Sequence, residues 1–257
     1  MMSLEGKIFV LNNFVNNFRN DLKKRETEDR ELMAAISTFR DISKQTKGDN
    51  LYNTGYEYSL RSAVLESEID VILSKEYCLT LSQAYEIFET YLAGIFTDLL
   101  YNNPEYCVSL KLLETKLHLP KKTVRELVKE KLGRQKNNRK YINSLRKLSQ
   151  HFSDHEANNI YEINISTWFD LVSELRHNII HSRQVISDKL LEFLKDKERG
   201  KLFKEYFDQR DTYDGVVIFL TSAKFNIVLD RLNEFAYFIF KSLSIANHFD
   251  PTYKIRR

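Results

Sequence analysis

From Lys7 onward, apolar residues return at intervals of three and four: Ile8, Leu11, Phe14, Val15, Phe18 and Leu22. This is the period of an amphipathic helix with one face turned to a core. Leu32, Ile36 and Phe39 repeat the spacing and predict its continuation. The stretch "SKQTKGDNLYNTGYEY" then gathers Gly, Asn, Asp and Ser without a period, which reads as a loop and a boundary near residues 43 to 56.

Beyond it, helix-start signals recur. Thr80-Leu-Ser-Gln83 and Thr123-Val-Arg-Glu126 have the form of capping boxes, in which hydroxyl and carboxyl or amide side chains satisfy free backbone N–H groups at a helix start. The first predicts a helix running to the stop "NNPEY"; the second predicts a short basic helix closed by Gly133. Thr167 reads as the cap of a helix through "TWFDLVSELRHNIIH", and "DTYDG" as a turn launching a long C-terminal helix. With 7 Gly and 3 Pro in 257 residues there is little turn material for a many-stranded sheet. The expectation is an all-α bundle of seven to nine helices, with a helical extension over residues 1–50 and a helical domain over 57–247.

One helix gathers unusual chemistry. With Trp168 at zero and about 100° per residue, Leu171, Val172, Leu175 and Ile179 fall within about 60° of it and form the buried stripe, with Ile180 at its margin. Asp170, Glu174, His177 and His181 fall on the other side, a pattern that any wet helix face could show. A metal reading has some support: His177 and His181 are spaced i, i+4, His151 and His155 repeat that spacing, and Glu174-Leu-Arg-His177 has the Glu-x-x-His form of di-iron bundles. No second Glu-x-x-His occurs in the chain, so no metal is expected. A third reading is acid–base chemistry on a phosphate. Histidine moves protons near neutral pH, and arginine grips phosphate oxygens with two parallel donors.

The segment "ELRHNIIH" resembles the signature of HEPN domains: an Arg, a polar residue, then a His five positions after the Arg, set in an aliphatic helix. HEPN domains are helical, usually dimeric modules common in toxin–antitoxin, abortive-infection and CRISPR-associated ribonucleases. The resemblance covers residues 80 to 245, and the first 50 residues match nothing recognised. It implies an HEPN-like helical bundle with Arg176 as catalytic arginine, His181 as catalytic histidine, and His177 at the polar position between them. Asn178 and Glu174 stand beside these as supporting residues. It also implies metal-independent RNA cleavage without a cofactor, at a site built across a dimer interface. Arg176 and His181 diverge by about 140° on one helix, so two copies facing each other across a two-fold axis would bring Arg176 of one chain toward His181 of the other.

Charge adds a partner. Between Lys116 and Lys147, twelve basic residues face only Glu126 and Glu130; this local +10, within a total of +3, leaves −7 elsewhere. Lys121, Lys122, Arg125, Lys129, Lys136, Arg139 and Lys140 are the candidate RNA-binding residues, since Lys and Arg contacts to phosphate dominate nucleic-acid affinity. A solvated lysine-rich surface, or the docking site of an acidic antitoxin, would look the same. Tyr85, Glu86 and Glu89 could line the same cleft, since Glu86 and Glu89 share a face at i, i+3, although Tyr85 reads rather as core and the glutamates as solvated.

Other features narrow the field. Cys78 and Cys107 have no paired spacing, which predicts neither a disulfide framework nor a zinc site. The opening residues lack the pattern of a secretory signal, and Lys224, Asp230, Arg231 and Glu234 interrupt the most apolar stretch. A cytoplasmic, non-membrane protein is expected. The chain lacks a Gly-rich phosphate loop, a G-x-S-x-G elbow and an H-E-x-x-H helix. The leading expectation is an HEPN-type endoribonuclease with a defence or toxin role. The alternatives are a non-catalytic HEPN-fold module that binds RNA, nucleotide or protein, and a helical interaction protein.

Overall fold

A computed structural model describes residues 4–24, 31–40, 51–133, 138–212 and 215–249. In chain order the elements are α1 (Leu4–Lys24), β1 (Glu31–Arg40), β2 (Leu51–Arg61), α2 (Ser62–Asn102), α3 (Glu105–Ser109), α4 (Lys121–Lys131), α5 (Arg139–Leu148), α6 (Gln150–His155), α7 (Ile165–His181), α8 (Asp188–Leu194), α9 (Lys197–Tyr206), β3 (Asp208–Thr212), β4 (Gly215–Phe219) and α10 (Ser222–Ala246). Helix dominates, as the scarcity of Gly and Pro predicts. The strands form two separate antiparallel hairpins.

The chain divides into two compact units, Met1–Leu73 and Ser74–Arg257. In the first, α1 has the predicted helical period, although Phe14 stands exposed. Arg19 pairs with Asp70. The segment holding Leu32, Ile36 and Phe39 is not a helix but strand β1, paired with β2 from Glu31↔Arg61 to Arg40↔Leu51. The expected loop is therefore strand over its second half, and residues 43–50 lie outside the described residues. Leu51-Tyr52-Asn53-Thr54 and Tyr56-Glu57-Tyr58 are rich in the aromatic and branched side chains that suit an extended backbone, which offsets the turn-forming Asn and Gly.

In the second unit, α2, α7 and α10 meet at an aromatic cluster. Phe169 of α7 lies 4.9 Å from Phe88 of α2 and 5.2 Å from Phe235 of α10, centroid to centroid, and Tyr85 stacks on Phe169 at 5.3 Å. Such offset and tilted aromatic pairs add to the free energy of simple burial. Thr80 does not start a helix. α2 runs straight through it, and its buried hydroxyl has no hydrogen-bond partner among the described residues. Capping boxes operate only where the chain arrives from a non-helical segment, and here the preceding residues are already helical.

Local caps hold several other helices. Asn164, three residues before Thr167, begins α7 by accepting from the Ser166 and Thr167 N–H groups at 3.0 Å. Thr221 caps α10, Ser187 caps α8 and Asp196 caps α9 in the same way. "DTYDG" does not lead directly into α10. It lies at the end of hairpin β3–β4, whose Thr212↔Gly215 pair closes with Gly215 at φ +114°. Lys224 of α10 donates to the Phe207 and Lys204 carbonyls and to Asp208, tying α9, β3 and α10 together.

Candidate functional site

The helix that carries the Arg/His motif is buried on more sides than its wheel predicts. The expected stripe is buried, but so are Ser173, Glu174 and Asn178. A second layer packs over the supposed wet face. Glu174, only 5% exposed, meets Lys189 of α8 at 3.3 Å, and Asn178 Nδ2 donates to Ser187 Oγ, the α8 cap, at 2.9 Å. Asp170 lies 3.5 Å from Arg139 of α5, and its burial raises the pKa of its carboxyl against the pull of Arg139. Glu174 and Asn178 therefore fasten α8 to the back of α7.

What stays accessible is the last turn and a half. Arg176 and His177 are half-buried, and Ile180 and His181 are exposed. The rings of His177 and His181 lie 4.4 Å apart. Arg176 and Ile180, four apart, share one face, and His181 lies round the helix from them, as the 100° step requires.

The chain leaves α7 through a strained turn. Arg183 and Gln184 have φ of 51° and 70°, and Val185 N donates to Ser182 O at 2.9 Å. Two consecutive positive φ values between hydrogen-bonded ends are the mark of a type I′ turn, which ordinarily recruits Asn and Gly. Pairing holds the strain in place: Ile218 N donates to Gln184 O and Ile186 N to Val216 O, which stitches this exit to β4. Gln184, buried, donates to the Lys75 carbonyl of α2 at 3.4 Å.

Arg176 has its partner on α2, in one of the two glutamates that the sequence offers as cleft-lining or solvated. Its Nη2 donates to Glu86 Oε1 at 2.7 Å, while its buried Nε has no partner among the described residues. The contacts Lys75–Gln184, Glu86–Arg176 and Phe88–Phe169 show α2 running antiparallel to α7. Seven residues before Glu86, about 20° away on the same helix, lies Leu79, another exposed apolar side chain. No local signal marks Glu86, which is 90 positions from Arg176.

Glu86 also opens onto a groove of about 680 Å³ between α2 and α4. Glu86, Glu89, Thr97 and Asp98 line one wall, and Lys121, Arg125 and Lys129, spaced by four on α4, line the other. A Cβ at Gly94 on the floor would meet no atom within 4 Å, so the groove is open there. Lys121 meets Asp98 at 2.5 Å across it. At the far end Asn138 donates to both Glu89 and Tyr85, each at 2.9 Å, and burial raises the pKa of the Tyr85 hydroxyl.

The remaining basic candidates scatter. Lys122 is exposed but does not line the groove. Arg139 turns to Asp170, and Lys140 donates to the Lys131 carbonyl at the end of α4. Lys136 lies outside the described residues. Gly133, as expected, leaves α4: a Cβ there would come within 2.9 Å of the Lys129 carbonyl.

The other histidine pair sits on α6. His151 Nδ1 meets Ser242 Oγ at 3.0 Å, and His155 Nδ1 meets the His151 carbonyl at 2.9 Å. Burial, then the neighbouring His155 and Lys241, push the pKa of His151 below its ordinary value. Among the described residues no three His, Cys, Asp or Glu side chains are grouped to hold a metal ion, and no helix is long and apolar enough to cross a membrane. No family model, curated protein or solved structure matches the chain.

Proposed function

We propose that the protein is a metal-independent endoribonuclease of the HEPN type, acting as a homodimer. The observation that carries this reading is the placement of Arg176. It lies with His181 on the accessible end of an otherwise buried helix, and its partner Glu86 opens onto a groove whose α4 wall carries Lys121, Arg125 and Lys129, opposite Glu86, Glu89 and Asp98 on α2. A nucleic-acid backbone following that wall would be led to Arg176.

In the reaction the ribose 2′-oxygen attacks the adjacent phosphorus, and the bond from phosphorus to the 5′-oxygen breaks. His181 accepts the 2′-hydroxyl proton, and a histidinium returns a proton to the leaving 5′-oxygen. Arg176 neutralises charge growing on the non-bridging oxygens, exchanging Glu86 for phosphate. The products carry a 2′,3′-cyclic phosphate and a 5′-hydroxyl. Ile180 and Leu79, exposed beside the motif, supply apolar surface for a second copy, and an isologous contact there would set Arg176 against the partner's His181.

The test is incubation of total RNA with purified protein in EDTA. Wild type cleaves, and Arg176→Ala and His181→Ala each lose about 100-fold or more in rate while keeping the wild-type melting profile. Equal cleavage by all three overturns the reading. So does salt-sensitive RNA binding without cleavage by wild type, which is the behaviour of a binding module.

A further inference from the structure

Away from the Arg/His motif, a cavity of about 630 Å³ opens between α6, α10 and the segment 156–165. This is the size of sites that enclose small organic ligands. Its apolar side is aromatic: buried Phe235, half-buried Phe238 and exposed Tyr237, all within about one turn of α10. Its polar side gathers Arg231, Lys241, His151 and His155, with Glu234 as the lone carboxylate among its lining residues.

Two features suggest a binding site rather than a surface dent. Arg231 lines the cavity yet is only 7% exposed. Its Nη1 donates to Glu234 at 2.8 Å and its guanidinium carbon lies 3.0 Å from the Tyr161 ring centroid, but its buried Nε has no partner among the described residues. Arg231 pairs with one carboxylate, so together with Lys241 the polar side of the cavity stays net positive. The imidazoles are also pre-oriented. His155 Nδ1 donates to the His151 carbonyl, which leaves its Nε2 an acceptor in the neutral ring, whereas His151 Nδ1 can accept from the Ser242 hydroxyl and so keep an Nε2–H donor for a second partner.

The rim is built rather than loose. Asn159 donates to the Glu156 and Ile163 carbonyls and accepts from Tyr161 N, which fixes the turn that lays Tyr161 over Arg231, and Tyr161 Oη donates to Glu234 at 2.8 Å.

We propose that this cavity binds a small aromatic anion. A planar ring lies along Phe238 and Tyr237, and its carboxylate or phosphate faces Arg231, Lys241 and His151 Nε2. The site is independent of the ribonuclease reading, which uses other residues.

The test is calorimetric titration of the full-length protein with four probes. AMP and benzoate each carry a ring and a charge, adenosine a ring alone, and inorganic phosphate a charge alone. At least one of AMP and benzoate binds about ten-fold or more tightly than both single-feature probes, and which one distinguishes a nucleotide from an aryl acid. Lys241→Glu, a partly exposed position whose melting profile stays that of wild type, weakens that binding about ten-fold or more, while Arg176→Ala leaves it unchanged. The proposal is overturned if neither aromatic anion binds, if adenosine or phosphate binds as well, if Lys241→Glu has no effect, or if Arg176→Ala abolishes binding.

Discussion

The two histidine pairs have the same spacing and the same ring separation, 4.4 Å between centroids in each, yet they are built differently. On α6 the rings are nearly parallel, at 22°, with both Nδ1 atoms anchored. On α7 the rings are tilted at 49°, and His181 ends the helix in the open, five residues past an arginine. The i, i+4 spacing brings imidazoles together without deciding what they do. The setting differs: one pair, with both Nδ1 atoms hydrogen-bonded, lines a cavity, and in the other His181 stands exposed at a helix end beside Arg176.

The comparison breaks most decisively through activity. If the α7 pair is the reactive one, His181→Ala lowers RNA cleavage by about 100-fold or more, whereas His151→Ala leaves it at the wild-type rate. Equal losses in both would erase the distinction.

Anchoring is sharpened through stability. Ser242→Ala removes the partner of His151 Nδ1 and is expected to cost about 1 kcal/mol in denaturant unfolding, with cleavage unchanged. At the other pair, Arg183→Gly relaxes a positive φ just beyond His181 and is expected to stabilise by about 0.5–1 kcal/mol. If the same variant also cleaves more slowly, the strain at that turn serves the site.

The smallest effect is one of pH. Burial holds the folded-state pKa of His151 below its ordinary 6.5, so the unfolded chain takes up the proton more readily. Stability from this group is present above pH 6.5 and lost as the pH falls below it. Melting curves recorded from about pH 8 down to about pH 5 should therefore drop less steeply for His151→Gln than for wild type.

Much of the helical framework was legible because it is written in local periodicity. The stripe of α7, the basic run of α4 and the stop after Asn102 each depend on neighbours within a few positions. Elsewhere local signals misled. Thr80, Thr123 and Thr167 offered caps inside helices already under way, and the spacing of Leu32, Ile36 and Phe39 fits a helix but belongs to a strand. Glu174 falls on the polar side of the helical wheel because a wheel assumes a single packed face, whereas α7 has α8 behind it as well as α2 and α10 in front. Glu86 could not have been read as the partner of Arg176, since only the antiparallel pairing of α2 with α7 brings together residues 90 positions apart.

The stitching of the α7 exit to β4 bears on how the candidate site opens. Helix ends ordinarily fray, because their last carbonyls lack partners and little else holds them. Here unwinding the turn that carries His181 would pull against the pairs Ile218–Gln184 and Val216–Ile186. The last turn of α7 and the hairpin are therefore expected to open together as one cooperative unit, so a five-residue strand with no reactive side chain sets how often the histidine at the helix end loses its place.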